Sequence, residues 1–442
     1  MDLEGLANRL LAKGASDSEA LGRLALEIRT FKEMEDAQAR EFASAVLEEV
    51  RNAKKPISDP LLKAILTTPS AGATMHDLGV GCRGEGDFFV HRLITDLAGR
   101  GGDSLIPPSK QDDAGAVEAG GKIVVAAIDG THSRLSDFPF LAGFHVARAA
   151  MRDVMVKGAE PVALIDDMHL GDDGDVGKLF DFVAGIAAVA KLTGVPLVSG
   201  STLRTGGDMV IGDRMVSGVG CVGTAGKLLK REDVEEDDAV IMTYGSGGGT
   251  IATAAIYSGN FDAVKETLNV DFIDAAGLLC EKHMLFELHA MLDVTNGGLR
   301  GDISEVCRTA KVGIELYEQH IRRMVNPKVL ELLEKQGIDY LGVSLDSLLV
   351  FCPQKSKGRI LRVFAANGIK AAEIGLVTEG GKALLDGEEF THRFRESAYT
   401  PVKKLVGECA PEREGEFRSG AEKAAEESGK KMKKVIEYVR GR

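Results

Sequence analysis

The order of apolar and polar positions divides the chain into a helical start, a long middle of alternating helix and strand, and a polar end. Over residues 1–55 apolar side chains recur at helical spacing. Leu6, Leu10 and Leu11 form the first segment, a second restarts after Gly14, and a third covers 36–52. Ser16 followed by Glu19 predicts a capping box on the second helix. Residues 68–86 are rich in Gly and lead into a helix over 87–100, with Phe89, Leu93 and Leu97 on one face and Asp87 as N-cap. An apolar run over 123–128 reads as a buried strand ending on Asp129 and Gly130. Helices over 138–157 and 177–193 alternate with strands over 162–169, 195–198 and 215–222. A charged turn at 230–239 marks a domain boundary. After it come a strand over 239–244, a Gly turn over 245–249 and a helix over 250–258. A short strand over 291–293 precedes a helix opened by Gly297 and Gly298, and strands over 345–351 and 374–377 follow. Residues 410–442, dense in Glu and Lys, predict a solvated helix or a partly ordered tail.

Composition narrows this picture. A length of 442 residues allows two or three domains. With 53 Gly, no Trp and 5% aromatics, the chain suits an alternating helix–strand protein with many tight loops. A net charge of −13 argues against broad binding to nucleic acid, yet leaves room for a local nucleotide pocket. The six Cys are scattered without a CxxC pair, which fits a reducing cytosol. There is no signal-peptide pattern and no apolar run of membrane-spanning length, so a soluble cytoplasmic protein is expected.

The candidate chemistry centres on 109–132. Asp112 and Asp113 sit in a small-residue turn, one hairpin from Asp129 at its strand end. Three carboxylates with no adjacent Lys or Arg would repel one another. Mg²⁺ relieves such repulsion and takes carboxylates together with substrate phosphates. The competing reading makes Asp112 and Asp113 turn residues. Gly79, Gly81 and Gly84 spell GxGxxG, but no strand precedes them, so a dinucleotide fold is not supported. Their loop either holds an anion at the following helix or only connects. Gly218, Gly220 and Gly223 repeat the pattern inside a strand, where it has no cofactor meaning. Asp153 and Lys157 have the spacing of a surface ion pair. The stretch 199–208 reads as a loop offering hydroxyls and one Arg.

Taken in order, six motifs over 75–395 resemble the AIR synthase-related superfamily. It holds aminoimidazole-ribonucleotide and formylglycinamidine-ribonucleotide synthetases, thiamine-monophosphate kinase, selenophosphate synthetase and hydrogenase-maturation factor E. QDDAGAV is similar to the family's metal loop, and VVAAIDGTHSRL to its strand ending in Thr-Asp-Gly. MRDVMVKGAEPVALIDDMHLG, LDVTNGGLRGDISEVCRTAKVGIEL, SLDSLLVF and IGLVTEG are similar to later family elements. The resemblance implies a two-domain α+β fold, with mixed sheets flanked by helices and the N-terminal sheets pairing in a homodimer. Its parts here would be a helical N-terminal extension over 1–60, an N-terminal domain over 61–228, a C-terminal domain over 229–395 and a charged end over 396–442. ATP and Mg would be the cofactors, with an unidentified small molecule as substrate. Asp112, Asp113 and Asp129 would bind metal, while Asp129, His132 and Asp153 would serve the chemistry. Gly79, Gly81, Gly84, Asn296, Gly297 and Gly298 would border the nucleotide.

Several positions depart from the family pattern. SGSTLR carries Ser199 and Ser201 where the family has Gly and an acid, with Asp208 as a displaced substitute. Gln111 replaces a glycine, Arg152 an Asn or Ser, and Leu345 a Glu. The first expectation is an ATP- and Mg-dependent phosphotransferase or ligase. The second is a non-enzymatic nucleotide- or metabolite-binding dimer or scaffold, motivated by the lost acid. A selenophosphate-synthetase-like role, suggested by Cys82 in the Gly loop, ranks third.

Overall fold

The computed structural model describes residues 1–442 apart from Arg100, Gly101, His132, Ser133, Asn296, Ser397 and Arg442. Two sheets organise it. The first contains β1 (Gly115–Ala119), β2 (Lys122–Gly130), β3 (Ala159–Leu170), β4 (Leu197–Arg204) and β5 (Met215–Ala225), in the order β1-β2-β5-β3-β4. Its neighbours run antiparallel except β3 with β4. The second contains β6 (Asp238–Thr243), β7 (Ala290–Asp293), β8 (Gly313–Leu316), β9 (Leu348–Pro353), β10 (Ala371–Thr378), β11 (Ala383–Leu385) and β12 (Glu388–Glu389). Their order is β12-β11-β8-β10-β6-β9-β7. The fold is therefore α+β with two mixed sheets, as expected.

The first three helices, α1 (Leu3–Ala12), α2 (Asp17–Phe31) and α3 (Asp36–Ala53), form a unit with its own apolar core. The capping box at Ser16 and Glu19 is present. Lys32 ties this unit to the first domain through Asp172 and Asp173, at 2.5 and 2.6 Å. Next come α4 (Pro60–Leu66) and α5 (Glu85–Ala98). The N-cap of α5 is Gly84, not Asp87. Asp87 is buried in the first turn, where its carboxylate accepts from Arg83 N at 2.8 Å.

The helix that joins the molecule is α6 (Pro139–Met155). It packs on β2, β3 and β5, on α7 (Gly177–Thr193), and on elements of the second domain. A helix covered on nearly every side must be apolar or satisfied all round. Here the buried polar exceptions are His145, Arg148 and Arg152, with the two arginines one turn apart. One apolar core runs from Val125 and Leu164 of the first sheet to Ile241 and Val350 of the second.

Two further expectations change. The run at 123–128 is a strand buried on one side only: Val125 is inaccessible, while Ile128 is 74% exposed. The segment 199–204 is not a loop but the rest of edge strand β4. Residues 414–440 form one helix, Glu414–Arg440, with no buried residue, as the solvated-helix reading has it, and it lies against α4 and α5.

Candidate active site

Asp129 lies near the end of β2 and Asp293 ends β7, so the two sheets aim their strand-end carboxylates at one place. There a cavity of about 760 Å³ opens between α6, the QDDAG turn and the second domain. Asp112, Asp113, Asp129 and Asp153 all line it, together with Gly81 and Thr295.

The acids are not left uncompensated, contrary to the reading from local sequence. Lys157, one turn beyond Asp153, does not form a surface pair with it. Its side chain is fully buried and bonds Asp112, with Asp113 Oδ2 at 2.9 Å. Arg231 comes from the charged turn at the domain boundary and is buried as well. It reaches Asp113 at 2.6 Å and Glu305 at 2.7 Å, and its backbone N donates to Asp112 at 3.2 Å. Burial alone would raise the Asp113 carboxyl, but Lys157 and Arg231 prevail and hold it down at about 2. Gln111, at the family's glycine position, adopts a left-handed φ of 50° and opens this turn.

A second set of charges crosses the domain junction. Arg148 and Arg152 both bond Asp346, a residue of the SLDSLLVF segment, and Arg152 Nε also donates to Asp293 at 3.1 Å. Burial pushes Asp293 up to about 6, aided by Asp113, Asp129 and Asp346 and opposed by Arg152.

Asp129 and Asp153 differ from these. Among the described residues, no cationic side chain hydrogen-bonds either carboxylate. Burial raises both carboxyls, and Asp153 is driven further by Asp293, Asp129 and Asp113. This corner of the cavity concentrates negative charge in a poorly hydrated setting. Among the described residues no group of three or more His, Cys, Asp or Glu is arranged to hold a metal ion unaided.

Other expected positions scatter. Gly81 lines the cavity, whereas a side chain at Gly79 or Gly84 would strike the segment at 393–395. Gly297 has a φ of 104° and packs on Arg83, while Gly298 packs on Leu341. His132 and Asn296 lie outside the described residues. Ser199 and Ser201 are on exposed β4. Asp208 does not replace the missing acid, because it pairs with Arg204 on the surface.

The QDDAG turn, the strand acids and the two-sheet junction coincide with two family models. The AIR synthase related protein N-terminal domain matches residues 111–225, and the corresponding C-terminal domain matches 235–386. The chain belongs to the AIR synthase-related family. An uncharacterized protein of Methanocaldococcus jannaschii is 50% identical over 452 residues, covering 100% of this chain and 99% of that protein. Carbamoyl dehydratase HypE of Azotobacter vinelandii is 28% identical over 306 residues, covering 66% of this chain and 86% of the relative. The structure of AaThiL complexed with AMPPCP and TMP shares the fold at a TM-score of 0.54 and 19% identity, over 69% of this chain and 94% of that one. Family membership accounts for the acids found from sequence. Lys157, Arg231, Asp293 and Asp346 were missed as site residues, although Lys157, Asp293 and Asp346 fall within recognised motifs; Arg231 lies in the charged turn at 230–239, outside all of them.

Proposed function

We propose that this family member is an ATP- and Mg²⁺-dependent enzyme that phosphorylates or activates a small metabolite. The observation that carries the reading is the pair Asp129 and Asp153, free of ion pairs among the described residues, facing a cavity between two domains. Mg²⁺ commonly takes one or two carboxylates and completes its shell with phosphate oxygens and water. Asp129 and Asp153 fit that donor set. Asp112 and Asp113, held by Lys157 and Arg231, act here as a fixed wall. When bound, the cation would neutralise charge on the transferred phosphoryl group. The protein's own residues position the reactants. Buried Arg152 fixes the junction, and the GSGGG turn brings Gly249 and Thr250 to the cavity wall, where backbone amides suit phosphate oxygens. In the transfer, an acceptor oxygen bonds the γ-phosphorus as the bridging P–O bond breaks and ADP leaves. Structures of similar fold described in complex with AMPPCP and TMP, and with ATP, support nucleotide use.

The test is isothermal titration of the full chain with ATP in Mg²⁺. We expect saturable binding that Asp129→Asn removes. Absence of binding by the unmodified chain would sink the reading. A binding-only dimer is the second reading, favoured by the acid lost at Ser201. Acceptor-dependent release of ADP would eliminate it.

The outer face of the first sheet supports a homodimer. Ile128, Gly220 and Ile165 stand in one row across β2, β5 and β3, and Ile128, Ile165, Val216 and Leu203 are exposed. An open apolar face of this kind calls for a partner.

A further inference from the structure

The family models end at residue 386, yet the next stretch turns back to the cavity. The described residues between 393 and 409 form a strap across the Gly-rich loop. Glu85 N donates to Arg393 O at 2.9 Å, Gly86 N to Phe394 O at 3.3 Å, and Glu396 N to Cys82 O at 3.1 Å. Arg395 Nη2 donates to His76 O at 2.7 Å. Arg395, Glu396, Tyr399 and Thr400 are all buried. Gly84 has no space for a side chain, since a Cβ there would strike the Arg393 and Phe394 carbonyls. So the loop and the strap are built to fit one another.

Pinned in this way, the strap turns at Thr400, whose side chain caps the helix Pro401–Val406. It thereby places Tyr399 and Lys403 on the cavity wall. Lys403 Nζ lies 4.3 Å from the Tyr399 ring centroid, and no carboxylate pairs with it among the described residues. Burial lowers its pKa. Its neighbour Lys404 is exposed and bonds Gln336 O on the outside. Arg83 and His91 line the same cavity, with Arg83 over the Phe88 ring at 5.5 Å. The cavity therefore carries a cationic, aromatic wall in addition to the acids Asp129 and Asp153. A partly desolvated ammonium without a counterion favours an anion in the space it faces.

We propose that the strap completes a second-substrate subsite in which Lys403 binds the anionic group, carboxylate or phosphate ester, of the small molecule that shares the cavity with the nucleotide. The inference rests on the nucleotide reading given above, and it assigns the substrate class that reading left open. Lys403 is then a specificity-determining residue contributed from outside the family domains.

The experiment labels the full chain with pyridoxal 5′-phosphate, or with pyridoxal lacking the phosphate, followed by borohydride and peptide mass spectrometry. An ammonium of lowered pKa exposes more free amine, about tenfold for each unit. Lys403 is expected to react several-fold faster than Lys404 with the phosphorylated aldehyde, and to lose most of that advantage with pyridoxal. Inorganic phosphate or acetate, added separately, is expected to protect Lys403. Stronger protection by phosphate identifies a phosphate ester, and stronger protection by acetate a carboxylate. Lys403→Met should remove the fast label, and Lys404→Met should leave it. Labelling of Lys403 no faster than of Lys404, or protection by Mg²⁺-ATP and by neither small anion, would overturn the proposal. ATP titration of the unmodified chain, run in parallel, reports on the nucleotide reading separately. Its failure would leave an anion site with no nucleotide partner, whereas failed labelling would leave nucleotide binding intact.

Discussion

At the scale of single residues, the site is governed by where its cations come from. Asp112 and Asp113 are seen in the sequence as an acidic turn, but their neutralising partners are distant in the chain. Arg231 lies 118 positions from Asp113, and Lys157 lies 45 from Asp112. Removing one member of a buried pair leaves the other charge uncompensated, at a cost of about 3–5 kcal/mol. Arg231→Met should therefore lower the thermal midpoint markedly, and Asp113→Asn in the same chain should recover part of the loss. Differential scanning calorimetry of the single and double variants checks this. If the double variant is no more stable than the single, the ion pair is not what Arg231 contributes. Asp129 and Asp153 were legible because a strand end and a family helix motif each mark one. Lys157 was misjudged because spacing four along a helix suggests a surface pair, and spacing cannot report burial.

At the scale of elements, regular segments were legible where period and caps agreed, as in α2 with its capping box. They were not legible where burial breaks the pattern. Strand β4 runs through Ser199, Ser201 and Arg204 because it is an exposed edge, so its polar residues resemble a loop. The strap could not be read at all, since its hydrogen bonds join residues 393–396 to 82–86. It also carries a pH dependence. Burial pushes Glu396 up to about 7, against 4.5 ordinarily, partly opposed by Arg393 and Arg300. Its Oε2 is buried without a hydrogen-bond partner among the described residues. Below about pH 4.5 the carboxyl is protonated whether the chain is folded or not. As pH rises from about 4.5 to about 7, the unfolded chain ionises while the folded protein resists a buried carboxylate, and stability falls by about 3 kcal/mol. Glu396→Gln should therefore raise the melting temperature at pH 8 and change it little at pH 5. Equal shifts at both pH values would show that ionisation of Glu396 is not responsible.

At the scale of the whole molecule, the two-sheet architecture followed from the order of motifs, while the relation of the parts did not. The helical start packs as a separate unit fastened by Lys32, and the helix Glu414–Arg440 lies along α5. Neither arrangement leaves a periodic signature that names its partner. The exposed row through Ile128 gives a direct test of assembly. Ile128→Asp should convert a dimer to a monomer, read by light scattering after size-exclusion chromatography, with little change in far-ultraviolet circular dichroism. A monomeric unmodified chain would refute the dimer.

The two domains are joined by apolar packing around α6 and also by buried charges, from Arg148 through Asp346 and Arg152 to Asp293. These two kinds of contact respond differently to heat. The penalty for withdrawing ions from water shrinks as temperature rises, while apolar contacts gain little more per unit area. On warming, the charged seam gains strength relative to the core beside it. Loosening should begin away from this seam, leaving the line between the domains among the last parts to give way.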